Sequence, residues 1–331
     1  MRPTRSDRDR WRELLGYNPL PPLLNAPSAP IRFFTLRDLT DERLGPAESL
    51  WTDPRALRLL RTQLPNGAWK YHGGQERIRS VDSYSQLETY RQLRVLIELF
   101  GMTQHHPAIG KAAEFLFSKQ TDEGDFRGIC GNQYIPYYSA AFLELLVKAG
   151  YARDGRVEKG FRWLESMRQE DGGWAFPLRT VGLKLGPRTF AANLIQPDRS
   201  MPSSHMVTGM VLRAFAAHPD HRRSGVARSA GRLLAARFFK RDAYADRQAP
   251  SFWTAFSFPF WFTDLLSSLD SLSWLGFRAS DPQVRLGLEW LVRRQQESGL
   301  WRLPLRLMSQ VDGPDHWISL AVCRAARRLA D

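Results

Sequence analysis

Acid–base and metal-binding chemistry in this sequence rests with a short set of side chains. Asp264, Asp315 and His316 supply two carboxylates and an imidazole that can move a proton or ligate a cation. His205 follows Ser203-Ser204. It reads equally as a proton donor and as part of a helix-start cap. Cys130, between Ile129 and Gly131, has the type of a nucleophile, although a buried, inert thiol is the commoner fate. Near these groups in sequence stand Asp82, Tyr84, Gln133, Tyr134, Tyr137, Trp253, Trp261 and Trp317. Walls of such residues bind long apolar ligands and attract cations to ring faces. Ordinary core is the competing explanation for any single ring, but the run Phe252 to Phe262 is apolar on every face and must meet protein, lipid or ligand. No Gly-rich phosphate loop, His-rich metal helix or serine nucleophile elbow is present, so no cofactor is indicated.

The elements that must position these groups announce themselves by repetition. A helix-length stretch ends in Gln, a short Gly-containing turn follows, and an aromatic closes it. The copies are Gln63 to Trp69, Gln120 to Phe126, Gln169 to Trp174 and Gln295 to Trp301. Before each Gln, apolar or small residues recur at i, i+3, i+4 and i+7, as in Val157, Gly160, Phe161 and Leu164. That spacing paints one face of an α-helix. The second position is small (Ala112, Gly160, Gly287), which lets another helix come close. Val226 to Leu233 keeps the register without the Gln ending. Gly suits the left-handed stop, the aromatic can fold back over the helix end, and the Gln amide can satisfy loose backbone groups.

A more apolar set of helices is predicted between these, at about 84–100, 134–149, 204–217, 258–275 and 316–329. Half-polar helices alternating with buried ones predict two concentric rings: an all-α fold, an α/α toroid of five to six hairpins, with an open solenoid as the competing arrangement. Residues 51–331 read as one barrel domain. Residues 1–50 read as a closing or latching segment with a helix start at Thr35-Leu-Arg-Asp38. Connections from outer to buried helix are long, and the reverse turns are short. The site is therefore expected at the rim where buried helices begin.

The net charge of +13 with a pI near 10.2 raises the question of an acidic partner. The arginines are spread along outer helices (Arg156, Arg162, Arg285, Arg293), which reads as a solvated face. Without a recognisable module, nucleic acid is not expected. Two distant cysteines give no disulfide framework. A charged start with no apolar stretch after it predicts no signal peptide and a cytoplasmic protein. Phe252 to Leu269 contains Asp264, which argues against a span while leaving peripheral membrane contact open.

The Gln169 to Trp174 ending after Gly160-Phe-Arg-Trp163-Leu164, and Gln295 to Trp301 after Gly287-Leu-Glu-Trp290-Leu291, resemble the prenyltransferase and squalene-oxidocyclase repeat superfamily. Its members include class II terpenoid cyclases and protein prenyltransferase β subunits. The resemblance covers about residues 51–331. It implies an α/α barrel and a hydrophobic small-molecule or lipid ligand, such as an isoprenoid, in an aromatic-lined central cavity. It also implies a transferase or a cyclase/isomerase, if the chain is an enzyme. The Asp-x-Asp-Asp acid motif of class II cyclases is missing: Asp312-Gly-Pro-Asp315 and Asp264 to Asp270 have other spacings. The zinc pattern of the prenyltransferases is matched only by Asp264 and His316, with Leu266 where the Cys should be. A non-catalytic lipid- or partner-binding barrel is therefore the alternative, and a carbohydrate-active α/α barrel a third reading.

Overall fold

The computed structural model describes residues 10–71, 81–308 and 312–330. An inner set of helices comprises α1 (Ala29–Leu39), α3 (Val81–Phe100), α5 (Pro136–Leu146), α7 (His205–Ala217), α9 (Leu265–Trp274) and α11 (Pro314–Ala330). An outer set comprises α2 (Pro54–Arg61), α4 (Pro107–Phe117), α6 (Gly155–Ser166), α8 (Gly225–Ala235) and α10 (Pro282–Val292). Each inner helix packs on the next, and α11 packs on α1, so the inner set closes into a ring. The core is the space between the two rings. Two short strands, β1 (Phe256–Phe258) and β2 (Leu305–Met308), pair in parallel between two connectors.

Local chemistry explains the boundaries. Asp53 caps α2 by accepting the Arg55 N–H at 2.8 Å, and Pro54 sits where no N–H partner is needed. Gly101 and Gly276 take positive φ after α3 and α9, and the next N–H groups, of Met102 and Phe277, reach back to Leu96 and Leu272. Leu143 of α5 lies against Gly160 so closely that a Cβ there would stand 2.8 Å from it.

The recurrent endings are fasteners. Trp69, Trp174 and Trp301 fold back and donate their indole N–H to Leu59, Leu164 and Leu291 carbonyls at 2.8, 2.6 and 2.8 Å. The aromatic backbone N–H binds a hydroxyl on the following inner helix: Trp69 to Thr89, Phe126 to Ser139, Trp174 to Thr208 and Trp301 to Ser319. The Gln amide ties one outer helix to the next. Gln63 donates to Gly67 and Ala108 carbonyls, and Gln120 to Gly124 and Arg156 carbonyls. Gln295 does this across the seam. It donates to the Gly299 and Tyr17 carbonyls and accepts from the Gly16 and Tyr17 N–H groups.

The departures are informative. Gln169 turns instead to the Asp198 and Met201 carbonyls of its long connector, and Arg168 makes the tie to the next outer helix through Ser229. The unit without the ending leaves a trace. Ser268 stands fourth in α9, as Ser139 does in α5 and Thr208 in α7, and its buried hydroxyl has no partner among the described residues.

Two expected boundaries differ. α1 begins at Ala29, so Thr35 is mid-helix and bonds the Ile31 carbonyl. Residues 258–264 are not helical: Pro259 cannot donate a helical N–H, and Asp264 forms a capping box with Ser267 that starts α9 seven residues further on.

Replacing Gln295 by Leu would strand the Gly16 and Tyr17 N–H groups and leave the Tyr17 and Gly299 carbonyls without their donor. We expect a loss of about 2–3 kcal/mol in urea unfolding and faster proteolysis around Tyr17. Unchanged values in both assays would refute the fastening role.

Candidate functional site

The long connectors meet at the rim where α5, α7 and α9 begin. Gln133 joins two of them, donating to Ala192 and Asn193 carbonyls and accepting from the Ile195 N–H. Arg179 and Asp246 join the next two at 2.7 Å. Strands β1 and β2 join the last pair. A cleft of about 260 Å³ opens between these parts. Its walls are Tyr137 and Tyr138 of α5, Phe176 and Leu185, Met206 of α7, Asp246, Arg247, Phe252 and Phe262. A groove of about 370 Å³ opens elsewhere, where α9 ends and α10 begins, but Phe277 is the one aromatic ring among Arg228, Arg232 and aliphatic neighbours.

Inside the ring the segment 256–264 meets several inner helices. Arg94 of α3 donates to the Pro259 carbonyl at 2.7 Å, and Arg213 of α7 to the Trp261 carbonyl at 3.0 Å. Phe258 stacks on Trp317 of α11, with centroids 5.6 Å apart. Trp261 lies edge-on to Tyr90, 5.0 Å away, beneath the Arg94 guanidinium. Glu144 holds Arg213 at 3.0 Å and Lys148 at 2.8 Å. Burial works to raise the Glu144 carboxyl, yet these two cations keep it below the ordinary range. The aromatic opening therefore lies at the rim, and a plug of side chains and backbone enters the ring that was expected to enclose the ligand.

Asp264 is buried beside this plug. Its carboxylate accepts from the Ser267 N–H at 2.8 Å and the Ser257 N–H at 3.3 Å. Burial pushes its pKa up to about 6, against the help of those bonds. His205 is buried against Trp253, 4.5 Å between centroids, with Nε2 3.5 Å from Asp242. Burial drives its pKa down to about 4, so the ring is neutral at pH 7. Trp253 donates to the Lys240 carbonyl, a structural bond. Cys130 is buried in a small cluster with Ile135, Phe176, Leu178 and Phe190, next to the cleft wall. Asp315 pairs with exposed Arg302 at 3.1 Å, and His316 is half-buried beside it in the first turn of α11. Tyr84 packs on Tyr71, and Tyr134 bonds Glu123 beneath Arg127 on the outer side of its connector. The side chain of Asp82 lies outside the described residues. Of the cavity-lining candidates, Tyr137 lines the cleft.

Asp264 and His316 are not brought together as ligands. Among the described residues the grouping with metal-ligand spacing is Glu158, His218 and His221, at the opposite rim. Its hydrogen bonds speak against a metal. His218 Nδ1 accepts the Asp220 and His221 N–H groups, so its proton sits on Nε2, which faces the Ala152 carbonyl at 2.9 Å. The one lone pair of that ring is thus committed to the turn, and its one N–H to the Ala152 carbonyl.

The cleft residues missed from sequence are Phe176, Leu185, Met206, Asp246 and Arg247. Arg247 is one arginine among many and carries no local signal. Glu144 and Arg213 did carry one, a charge inside an apolar helix.

Asp264 sets a pH test. The folded chain keeps its proton up to about pH 6, against 3.8 for the ordinary group, so folding takes up a proton between those values. Stability then falls as pH rises through that window, by about 3 kcal/mol. Urea midpoints of Asp264→Asn should lack this component, and a variant with the wild-type pH profile would contradict the raised pKa.

Residues 79–180 match the family model "Squalene-hopene cyclase C-terminal domain". No curated protein sequence matches the chain. Among solved structures, a variant of the type II terpene cyclase MstE from Scytonema with its product merosterolic acid A is 12% identical, TM-score 0.37, over 90% of this chain and 99% of that one. A polysaccharide lyase is 14% identical, TM-score 0.44, over 85% and 86%. A family 88 glycosyl hydrolase from Bacteroides vulgatus is 13% identical, TM-score 0.44, over 85% and 87%. Over α3 to α6, then, this chain is similar to the terpenoid-cyclase-like α/α barrels that its repeat residues resemble.

Proposed function

We propose that the chain binds an isoprenoid or other long apolar ligand in the rim cleft, as a terpenoid-cyclase-like barrel. The observation that carries this is the cleft itself: apolar and aromatic walls from four separate segments, Tyr137, Phe176, Met206 and Phe262 among them, around about 260 Å³. Apolar walls with a few polar groups at one edge suit an elongated hydrocarbon whose orientation is set at one end. Ring faces also suit a developing carbocation. Asp264 is the acid candidate. It lies close enough to Arg247 on the cleft wall to influence that charge, and it keeps its proton to about pH 6.

The second reading, a binding barrel without chemistry, is favoured by one observation. Both Asp264 oxygens are occupied by backbone N–H groups, as in a structural cap. The two readings separate on turnover, since a binder holds the ligand and returns it unchanged.

Titrating the protein with farnesol and following tryptophan fluorescence tests the shared claim. Leu185→Trp puts an indole into the cleft from a half-buried connector position. It is expected to weaken binding by about tenfold or more, about 1.4 kcal/mol, with little change in thermal midpoint. Equal affinities for the two proteins would exclude the cleft as the site.

A further inference from the structure

One charge in the cleft has no ion-pair partner among the described residues. The Arg247 guanidinium lies between two rings, 4.2 Å from the Phe252 centroid and 4.5 Å from that of Phe262. It makes no hydrogen bond or ion pair with any described residue, and its Nε is buried without a partner. Arg306, exposed on β2, lies over the Phe252 ring at 4.7 Å and likewise has no carboxylate among the described residues. Two guanidinium groups therefore flank one phenyl ring at the mouth of an apolar cleft. Burial draws the Arg247 pKa down to about 10, Asp264 opposes this and Arg306 adds to it.

The neighbouring acids are already engaged. Asp246, beside Arg247 on the cleft wall, is paired with Arg179 at 2.7 Å. Asp264 is held by Ser257 and Ser267. Two cations without an ion-pair partner among the described residues, beside low-dielectric walls, repel each other, and an anion between them would remove that cost. The guanidinium fork favours planar or tetrahedral oxyanions bound through paired N–H donors. Stacked rings hold Arg247 in place, so little side-chain freedom is lost on binding.

We propose that Arg247 and Arg306 bind the phosphate head of an amphiphile whose apolar chain lies in the cleft along Phe176, Leu185 and Phe262. This rests on the apolar-ligand reading above and adds the head-group class to it. A phosphate monoester, with nearly two negative charges at neutral pH, matches two arginines better than a carboxylate does.

Calorimetry with farnesol, farnesyl phosphate and inorganic phosphate, each below its aggregation limit, separates the claims. The expected result is farnesyl phosphate binding about tenfold or more tighter than farnesol, with an advantage that shrinks as salt is raised. Arg247→Gln and Arg306→Gln should each reduce the advantage, with farnesol affinity unchanged in Arg306→Gln, which lies outside the cleft wall, while Arg247→Lys keeps part of it. Should Arg247→Gln fail to fold, the exposed Arg306→Gln still decides. Equal binding of farnesol and farnesyl phosphate overturns the head-group site and leaves the apolar-ligand reading standing. Inorganic phosphate binding as tightly as farnesyl phosphate marks a free-phosphate site and overturns the amphiphile. Binding of none of the three overturns both readings.

Discussion

The molecule depends on a side-chain amide that bridges neighbouring outer helices. An outer helix in a ring has water on one side and shares only its apolar stripe with the core. Packing alone leaves it free to slide along its neighbour. Gln63 and Gln120 remove that freedom by donating to two carbonyls at once, one in their own turn and one in the first turn of the next outer helix. Gln295 applies the same device to Tyr17 of the N-terminal segment, and so holds the two ends of the ring together. The glycine of each turn is there for contact as well as conformation. A Cβ on Gly67, Gly124 or Gly299 would stand 2.2, 2.5 or 2.3 Å from a carbonyl oxygen of the adjoining segment.

Fastened turns leave the rest of each connector free to vary. Loops on a rigid scaffold can lengthen at small entropic cost. Here they lean on one another through Gln133, the Arg179–Asp246 pair and the β1–β2 ladder, and the cleft is what they enclose. One outer helix has lost its Gln ending, and the connector after it is the one that departs most. It supplies Arg247, Phe252, β1 and the segment that enters the ring under Arg94 and Arg213. A missing fastener, an orphaned Ser268 hydroxyl and a rebuilt connector thus occur in the same unit.

The periodic part of this architecture was legible in the sequence. Helix faces repeat every 3.6 residues, and the Gln, Gly and aromatic positions act through backbone geometry within a few residues. The alternation, and the rim at which the long connectors meet, could therefore be read directly. What could not be read depends on contacts between distant positions. Arg213 meets Glu144 and Trp261 across three different segments, and the partners are fixed only when the ring closes. Residues 258–264 looked helical by apolarity, but Pro259 and the Asp264 cap outweigh that signal. His205, Cys130 and Asp315 have the right chemistry for a site, yet the fold gives them a tryptophan, an apolar cluster and an exposed arginine as neighbours. Arg247 could not be singled out, because its meaning lies in the cleft position the fold gives it and in the lack of an ion-pair partner among the described residues. No helix among the described residues is long and apolar enough to cross a membrane, and within the apolar run at Phe252 to Leu269 the rings of Phe252 and Phe262 line the cleft.

The account stands on an apolar ligand occupying the rim between the starts of α5 and α7. A crystal structure of the protein grown with farnesol tests this most directly. The account predicts ligand density against Tyr137, Phe176 and Phe262. Density in the groove near Arg228 and Phe277, or in neither place, would contradict it.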